Sequence, residues 1–382
     1  MQQKMRLSRR RFVPVAIGVL ALFSFGVSAS VAAPKTTIKL GFIGPISGGN
    51  ALQGLGAANS FRLAIQQANA SGYPYKVEGV VLDDASTPTT GVNATLKLVN
   101  DPQVVAATGF WNSPVALAAM PIFQRNGIPL IVWGAVSPKI TEENLSMITR
   151  DTPTLSQENE PLADWLVRGL GYKRIAILTT TDDYGIGDKD AFTKFATADG
   201  ATIVSAIALP TDTTNFKPAL SKIASLHPDA VYFGGVIAPA ALVRKQMKSI
   251  GFDVPLAGIS GIYDPKYIDI AGSAADGTLA TEPKVIDNPR LNAFNRAYAD
   301  AHFKDPAGPY GKYAYDATNI LLKVIKEHGP KDRQALAKAI RDIHYGGVLG
   351  TTVFDGHGQT KIPITTDHYT VKNGHWIVYS GK

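Results

Sequence analysis

Two segments of this chain carry residue types suited to gripping a small molecule. One is Gly109-Phe110-Trp111-Asn112-Ser113-Pro114, the other Trp133-Gly134-Ala135-Val136-Ser137. Ser followed by Pro is a helix start, with the hydroxyl as cap and proline in the first helical position. Such a terminus presents unpaired N–H groups and the positive end of the helix dipole, an arrangement that suits a carboxylate. Ser113 can cap its own helix, hold a ligand, or do both. Trp111 and Trp133 are two of the four tryptophans in the chain, and their rings suit an apolar or aromatic ligand body. Ordinary core packing is the competing reading for both.

The chemistry of catalysis is missing from the same regions. The glycine-rich turn Gly44-Pro45-Ile46-Ser47-Gly48-Gly49 lacks the lysine of a phosphate loop and the spacing of a dinucleotide fingerprint. No G-x-S-x-G nucleophile elbow is present. The seven histidines are scattered, with no two at helical or zinc-ligand spacing. His357, in Asp355-Gly356-His357-Gly358, reads as a turn residue. The pairs Asp83-Asp84 and Asp182-Asp183 each follow a strand, where aspartate organises the loop and caps the next helix. An enzyme is not expected, nor a metal or other cofactor.

Strand-like and helix-like segments alternate and so place both candidate segments at strand ends. Strands are expected at Ile38–Ile43, Val77–Leu82, Val104–Thr108 and Pro129–Trp133, with helices between them, among them Pro88–Val99 and Pro114–Arg125. The rhythm restarts after Arg150. A helix Ser156–Leu170 is followed by strands Arg174–Thr179, Thr202–Ala208, Ala230–Phe233 and Pro255–Ala257, again separated by helices. Arg290–Phe303, Tyr313–His328 and Arg333–Ile343 are then expected as helices without intervening strands. Short strands Thr352–Phe354, His368–Val371 and Trp376–Val378 follow, the last two joined by a Lys372-Asn373-Gly374 turn. Apolar strands alternating with amphipathic helices predict an α/β fold with parallel sheets covered on both faces. Ligands of such sheets bind outside the carboxyl ends of the strands.

The N-terminus sets the compartment. Lys4, Arg6, Arg9, Arg10 and Arg11 precede an uncharged apolar run, Val13 to Val27, and Ser30-Val31-Ala32 offers small residues at the positions a signal peptidase reads. The run falls short of the roughly 20 residues that span a bilayer. Residues 1–32 are expected as a signal peptide cleaved near Ala32, and Ser8-Arg9-Arg10-Arg11-Phe12-Val13 also fits the twin-arginine export pattern. The formal charge of +7 is misleading, since the leader holds five of the 38 basic residues and none of the 31 acidic ones. The remaining balance of +2 gives no reason to expect nucleic acid or a membrane surface as partner. The chain has no cysteine and hence no disulfide. About 350 residues beyond the leader exceed a single core, so two domains are expected.

The sequence resembles the leucine/isoleucine/valine-binding family of ABC-transporter substrate-binding proteins, the type I periplasmic binding proteins. Carrying the resemblance are the run from Ile38 to Gly48, Leu82-Asp83-Asp84, and Arg174-Ile175-Ala176-Ile177-Leu178 leading to Asp183-Tyr184-Gly185. Asn215-Phe216, Pro228-Asp229-Ala230-Val231-Tyr232, Arg244-Lys245-Gln246-Met247, Tyr313-Ala314-Tyr315-Asp316-Ala317 and Phe354-Asp355 with Gly358 continue it. The resemblance implies two doubly wound lobes joined by a three-crossing hinge and closing over ligand. It puts the first lobe at 36–153 plus 283–361 and the second at 154–282 plus 362–382.

The resemblance also implies ligand positions. Ser113 matches a hydroxyl that holds a carboxylate, Gly134, Ala135 and Val136 the adjoining clamp, Tyr184 a cleft tyrosine, and Val236 a position often aromatic. Trp111, Trp133 and Gln53 complete the expected set with Ser260, which stands where the acid for an ammonium is implied. Leaving a buried ammonium unpaired costs about 3–5 kcal/mol, or roughly two to four decades in affinity, unless Asp183 or Asp264 substitutes. The expected function is therefore that of a free periplasmic carrier, a monomer that delivers an aromatic or aliphatic carboxylate to an inner-membrane ABC permease. The alternative is a branched-chain or other amino-acid or amide binding protein of the same type.

Overall fold

Short apolar runs ending in Gly or Asp fold as strands here because helices cover both of their faces. The structure, a computed structural model, describes residues 1–2, 10–11 and 35–381. The apolar run of the expected signal peptide and its cleavage point lie outside the described residues. Residues 36–382 form one compact unit, built on two sheets.

The first sheet comes from β1 (Thr37–Gly44), β2 (Lys76–Asp83), β3 (Val104–Gly109), β4 (Leu130–Val132) and β5 (Ile148–Arg150). Between them run α1 (Ala51–Ala70), α2 (Pro88–Val99), α3 (Ser113–Asn126) and α4 (Lys139–Glu142). All neighbours are parallel, in the order β2-β1-β3-β4-β5. The chain then passes to a second set: α5 (Leu155–Asp164), a π-helical turn Trp165–Gly169, β6 (Arg174–Thr180), α6 (Asp183–Ala198) and β7 (Thr202–Leu209). It continues with α7 (Lys217–Ala224), β8 (Ala230–Gly234), α8 (Ile237–Ser249), β9 (Leu256–Gly258), α9 (Pro265–Ala271) and β10 (Leu279–Lys284). It returns to the first sheet with α10 (Pro289–Asp300), α11 (Gly311–His328) and α12 (Arg333–Arg341), where α11 lies against α1 and β3. After a small hairpin of β11 (Tyr345–Gly347) and β12 (Gly350–Thr352), β13 (Thr365–Lys372) and β14 (His375–Val378) complete the second sheet. That sheet has the order β14-β13-β10-β9-β8-β6-β7.

Burial follows the pattern. Every residue of β3 and β8 is buried, and Phe42, Phe61 and Trp133 are fully enclosed under the first sheet's helices. Enclosing each such side chain is worth roughly 1.5–3 kcal/mol. The β13–β14 hairpin turns at Asn373 and Gly374, with φ of +52° and +73°, the left-handed pair that a two-residue turn requires.

Departures from expectation have local causes. Strands β5 and β10 were not foreseen: β5 is three residues long, too short to show a period, and β10 reads Leu-Ala-Thr-Glu-Pro-Lys, with polar residues and a proline. Neighbours on both sides make β10 a strand, parallel to β9 and antiparallel to β13. The expected helix Ser156–Leu170 is α5 followed by a π-helical turn. The expected strand Thr352–Phe354 is displaced to β12, leaving only an isolated bridge between Phe354 and Thr360.

Candidate ligand-binding site

A cavity of about 250 Å³ opens where strand ends of the two sheets meet. Its first wall comes from the segments after β2, β3 and β4, through Ser86, Pro88, Trp111, Asn112, Ser113, Gly134 and Val136. Its second comes from the segments after β6, β7, β8 and β9, through Asp182, Tyr184, Thr211, Val236, Ser260 and Gly261. Tyr310, immediately before α11, joins them.

The first wall is shaped by an unusual backbone. Phe110 has φ of +72°, rare for a bulky residue, and two hydrogen bonds hold it there. Its N–H donates to the Ile43 carbonyl (2.8 Å) and its carbonyl accepts from the Ala135 N–H (3.1 Å). The reversal leaves Trp111 beside the cavity, edge-on to Tyr310 with ring centres 6.0 Å apart. A Cβ at Gly134 would stand 3.0 Å from the Trp111 indole and 3.1 Å from its backbone, so a side chain there would crowd the ring.

Ser113 is the first residue of α3, and Asn112 rather than Ser113 is the cap residue, without a side-chain cap bond. The Ser113 hydroxyl oxygen instead accepts the N–H of Ser137 (3.1 Å), which leaves its proton available. The loop carrying Gly134 to Ser137 is fixed from beneath by Arg150, fully buried at the end of β5. Its guanidinium donates to the carbonyls of Ser137 (2.5 Å) and Ala135 (3.3 Å) and, through Nε, to Gln359 (2.6 Å).

The second wall is a cluster of hydroxyls. Tyr184 lies in the first turn of α6, with no partner for its buried hydroxyl within the protein. That hydroxyl lies 2.2 Å from where a Cβ of Gly261 would stand, so only glycine at 261 leaves it room. The Ser260 hydroxyl donates to Glu158 Oε2 (2.5 Å) and lies 3.3 Å from the Tyr310 hydroxyl. Burial pushes Glu158 up to about 7, with the Ser260 hydrogen bond opposing. Burial also holds the Tyr184 and Tyr310 phenols well above their ordinary range, so both remain protonated. Below this layer Asp188 Oδ1 accepts from Asn159 and Tyr232, each at 2.7 Å.

Of the residues expected from the sequence, Trp111, Ser113, Gly134, Val136, Tyr184, Val236 and Ser260 line this cavity. Three lie elsewhere. Trp133 is enclosed in the core, stacked on Phe42 at 5.6 Å. Ala135 is fully buried, its backbone tied to Phe110 and Arg150. Gln53 donates to Asp264 (2.5 Å). The two aspartates offered as substitutes for an ammonium's counter-charge are also engaged: Asp264 by Gln53 and the Lys266 N–H, Asp183 by Lys139 at 2.6 Å. The Gln53–Asp264 and Lys139–Asp183 contacts join elements of the two sheets. Asp182, the one carboxylate on the cavity wall among the described residues, accepts from Thr180 and the Gly185 N–H. Asp83 organises its loop as expected, accepting from Ile46, Ser47 and Ala85. Sequence reasoning missed Tyr310, Glu158 and Arg150. None of the three gave a local signal: even Arg150, fully buried, stands among polar neighbours in Ile148-Thr149-Arg150-Asp151-Thr152.

The chain is similar to known proteins over most of its length. The family model for periplasmic binding proteins matches residues 37–367. The leucine-, isoleucine-, valine-, threonine- and alanine-binding protein of Pseudomonas aeruginosa is 29% identical over 359 residues, 93% of each chain. Among solved structures, a leucine-binding protein of Thermotoga maritima is 26% identical with a TM-score of 0.79, covering 90% of this chain and 98% of the other. A solute-binding protein of an R. palustris ABC transporter, in complex with 4-hydroxybenzoate, is 25% identical with a TM-score of 0.78, covering 90% and 95%. These relatives are solute-binding proteins rather than enzymes, and among the described residues no helix is long and apolar enough to cross a membrane. With a matched family over most of its length and a cavity between the strand ends of two α/β sheets, the chain belongs to the periplasmic binding proteins of ABC transporters.

Proposed function

We propose that this protein captures an aromatic or aliphatic carboxylate in the periplasm and delivers it to an inner-membrane ABC permease. The observation that carries the reading is Ser113: its oxygen is taken by the Ser137 N–H, so its proton can be donated, at the positive end of α3. Behind that end, Trp111, Tyr310, Val136 and Val236 offer apolar surface for the ligand body. The 4-hydroxybenzoate held by the R. palustris protein supports the same class.

In this reading the expected lobes, 36–153 with 283–361 and 154–282 with 362–382, move about the passages between the sheets. Ligand favours the closed arrangement by its difference in affinity for the two. The protein acts as a monomer, exported and cleaved near Ala32. Calorimetry on ligand-stripped, refolded protein tests the ligand class. Micromolar binding of leucine with aromatic and aliphatic acids silent would overturn it. The second reading, an amino-acid binder, draws on Glu158 behind Ser260 as a source of negative charge.

A further inference from the structure

Three hydroxyl groups converge at the second wall, and their protons are not equally free. Ser260 has one proton and it points to Glu158 Oε2, 2.5 Å away. One of its two lone pairs then takes the Tyr310 proton at 3.3 Å, and the other remains as an acceptor. Tyr184 sits against Gly261, the next residue along, with a buried hydroxyl that no protein group accepts. This end of the cavity thus presents an acceptor beside an unused donor.

An ammonium has three protons and no lone pair, so it could satisfy Ser260 but would leave the Tyr184 proton facing a cation. A ligand hydroxyl gives one proton and accepts another. It meets both demands with a single atom, as an ammonium does not. Glu158 does not line the cavity; it acts by holding the Ser260 proton and so fixing which way that hydroxyl points.

Resting on the carboxylate reading above, we propose that the ligand is a hydroxy-carboxylate. Its hydroxyl donates to Ser260 and accepts from Tyr184, and Glu158 is the positioning residue that makes Ser260 an acceptor. The test is calorimetry on ligand-stripped protein with matched acids: benzoate against 3- and 4-hydroxybenzoate, and 4-methylpentanoate against 2-hydroxy-4-methylpentanoate, with leucine alongside. At least one hydroxy acid should bind about tenfold or more tighter than its parent. Glu158→Gln and Ser260→Ala should each bring that pair to near parity, and the double variant should do no more than either alone. A merely structural role for Glu158 would instead weaken both acids in proportion and keep their ratio. Should Glu158→Gln fail to fold, Ser260→Ala and Tyr184→Phe carry the same comparison.

Parent and hydroxy acids binding equally, or a preference that survives these substitutions, would overturn the hydroxyl assignment while leaving the carboxylate reading in place. If no carboxylate of either kind binds, or leucine outbinds them all, both readings fall.

Discussion

Two cavities of equal volume, about 250 Å³ each, lie in different parts of this protein. One lies between the strand ends; the other lies where the chain passes between the sheets, lined among others by Asp151 and Pro153, Pro283 to Ile286, Thr360, and Ile362 to Ile364. The strand-end cavity has aromatic side chains and hydroxyls from many separate segments, several with protons or lone pairs still uncommitted. The second is walled largely by proline and aliphatic side chains, with one buried carboxylate, Asp151, whose two oxygens have no protein partner. Empty volume therefore does not distinguish a binding site here. Convergent polar groups that the fold leaves unspent do, because each is costly to bury until a ligand completes it.

Filling the first cavity should produce the largest effect. Val136→Trp is expected to abolish carboxylate binding in calorimetry while the thermal transition stays cooperative; retained affinity would mean the ligand sits elsewhere. Ser113→Ala removes a single charge-assisted donor and should weaken a carboxylate by about 1.5–3 kcal/mol, roughly ten- to a hundredfold. An unchanged dissociation constant would take Ser113 out of the site.

Asp151→Asn sharpens the contrast from the other side, since it should leave ligand affinity alone and alter stability instead. Burial holds the folded-state pKa of Asp151 well above the ordinary carboxylate range, and the neighbouring Asp316 raises it further. Above the ordinary carboxylate range the unfolded chain releases a proton that the folded chain keeps, so this residue lowers stability as pH rises. Asparagine has no such proton. Melting temperatures of the two proteins should lie close at about pH 4 and separate toward pH 8, with the variant the more stable. Parallel curves would mean that Asp151 is charged and paired in solution.

The smallest effect is expected at Lys139, whose exposed ion pair with Asp183 joins elements of the two sheets. Lys139→Ala should shift ligand affinity by less than about fivefold, and added salt should erase the difference. A large, salt-independent loss would make this contact part of the site itself.

Much of the fold was legible because its signals are local. Pro88–Val99 is a helix within the bounds expected, since Thr87 caps it and proline opens it. Four of the five strands of the first sheet, all but β5, stood out as short apolar runs. The site was only partly legible. Trp133 and Trp111 look alike in sequence, each at a strand end, yet one stacks on Phe42 in the core and the other lines the cavity. Which of them faces the ligand depends on the reversed backbone at Phe110, and nothing in the residue types announces a positive φ there.

What the sequence determined alone was the alternation of strand and helix, the proline-marked start of α3 with its serine, and the lack of any legible nucleophile or metal motif. Each follows from preferences that operate within a few residues. Tertiary structure decided which polar groups would be left without partners. Ser260 meets a carboxylate 102 positions away, and Gln53 an aspartate 211 positions away. Hydrogen bonding inside a buried site depends on distances of a few tenths of an ångström between segments that only the packed sheets bring together.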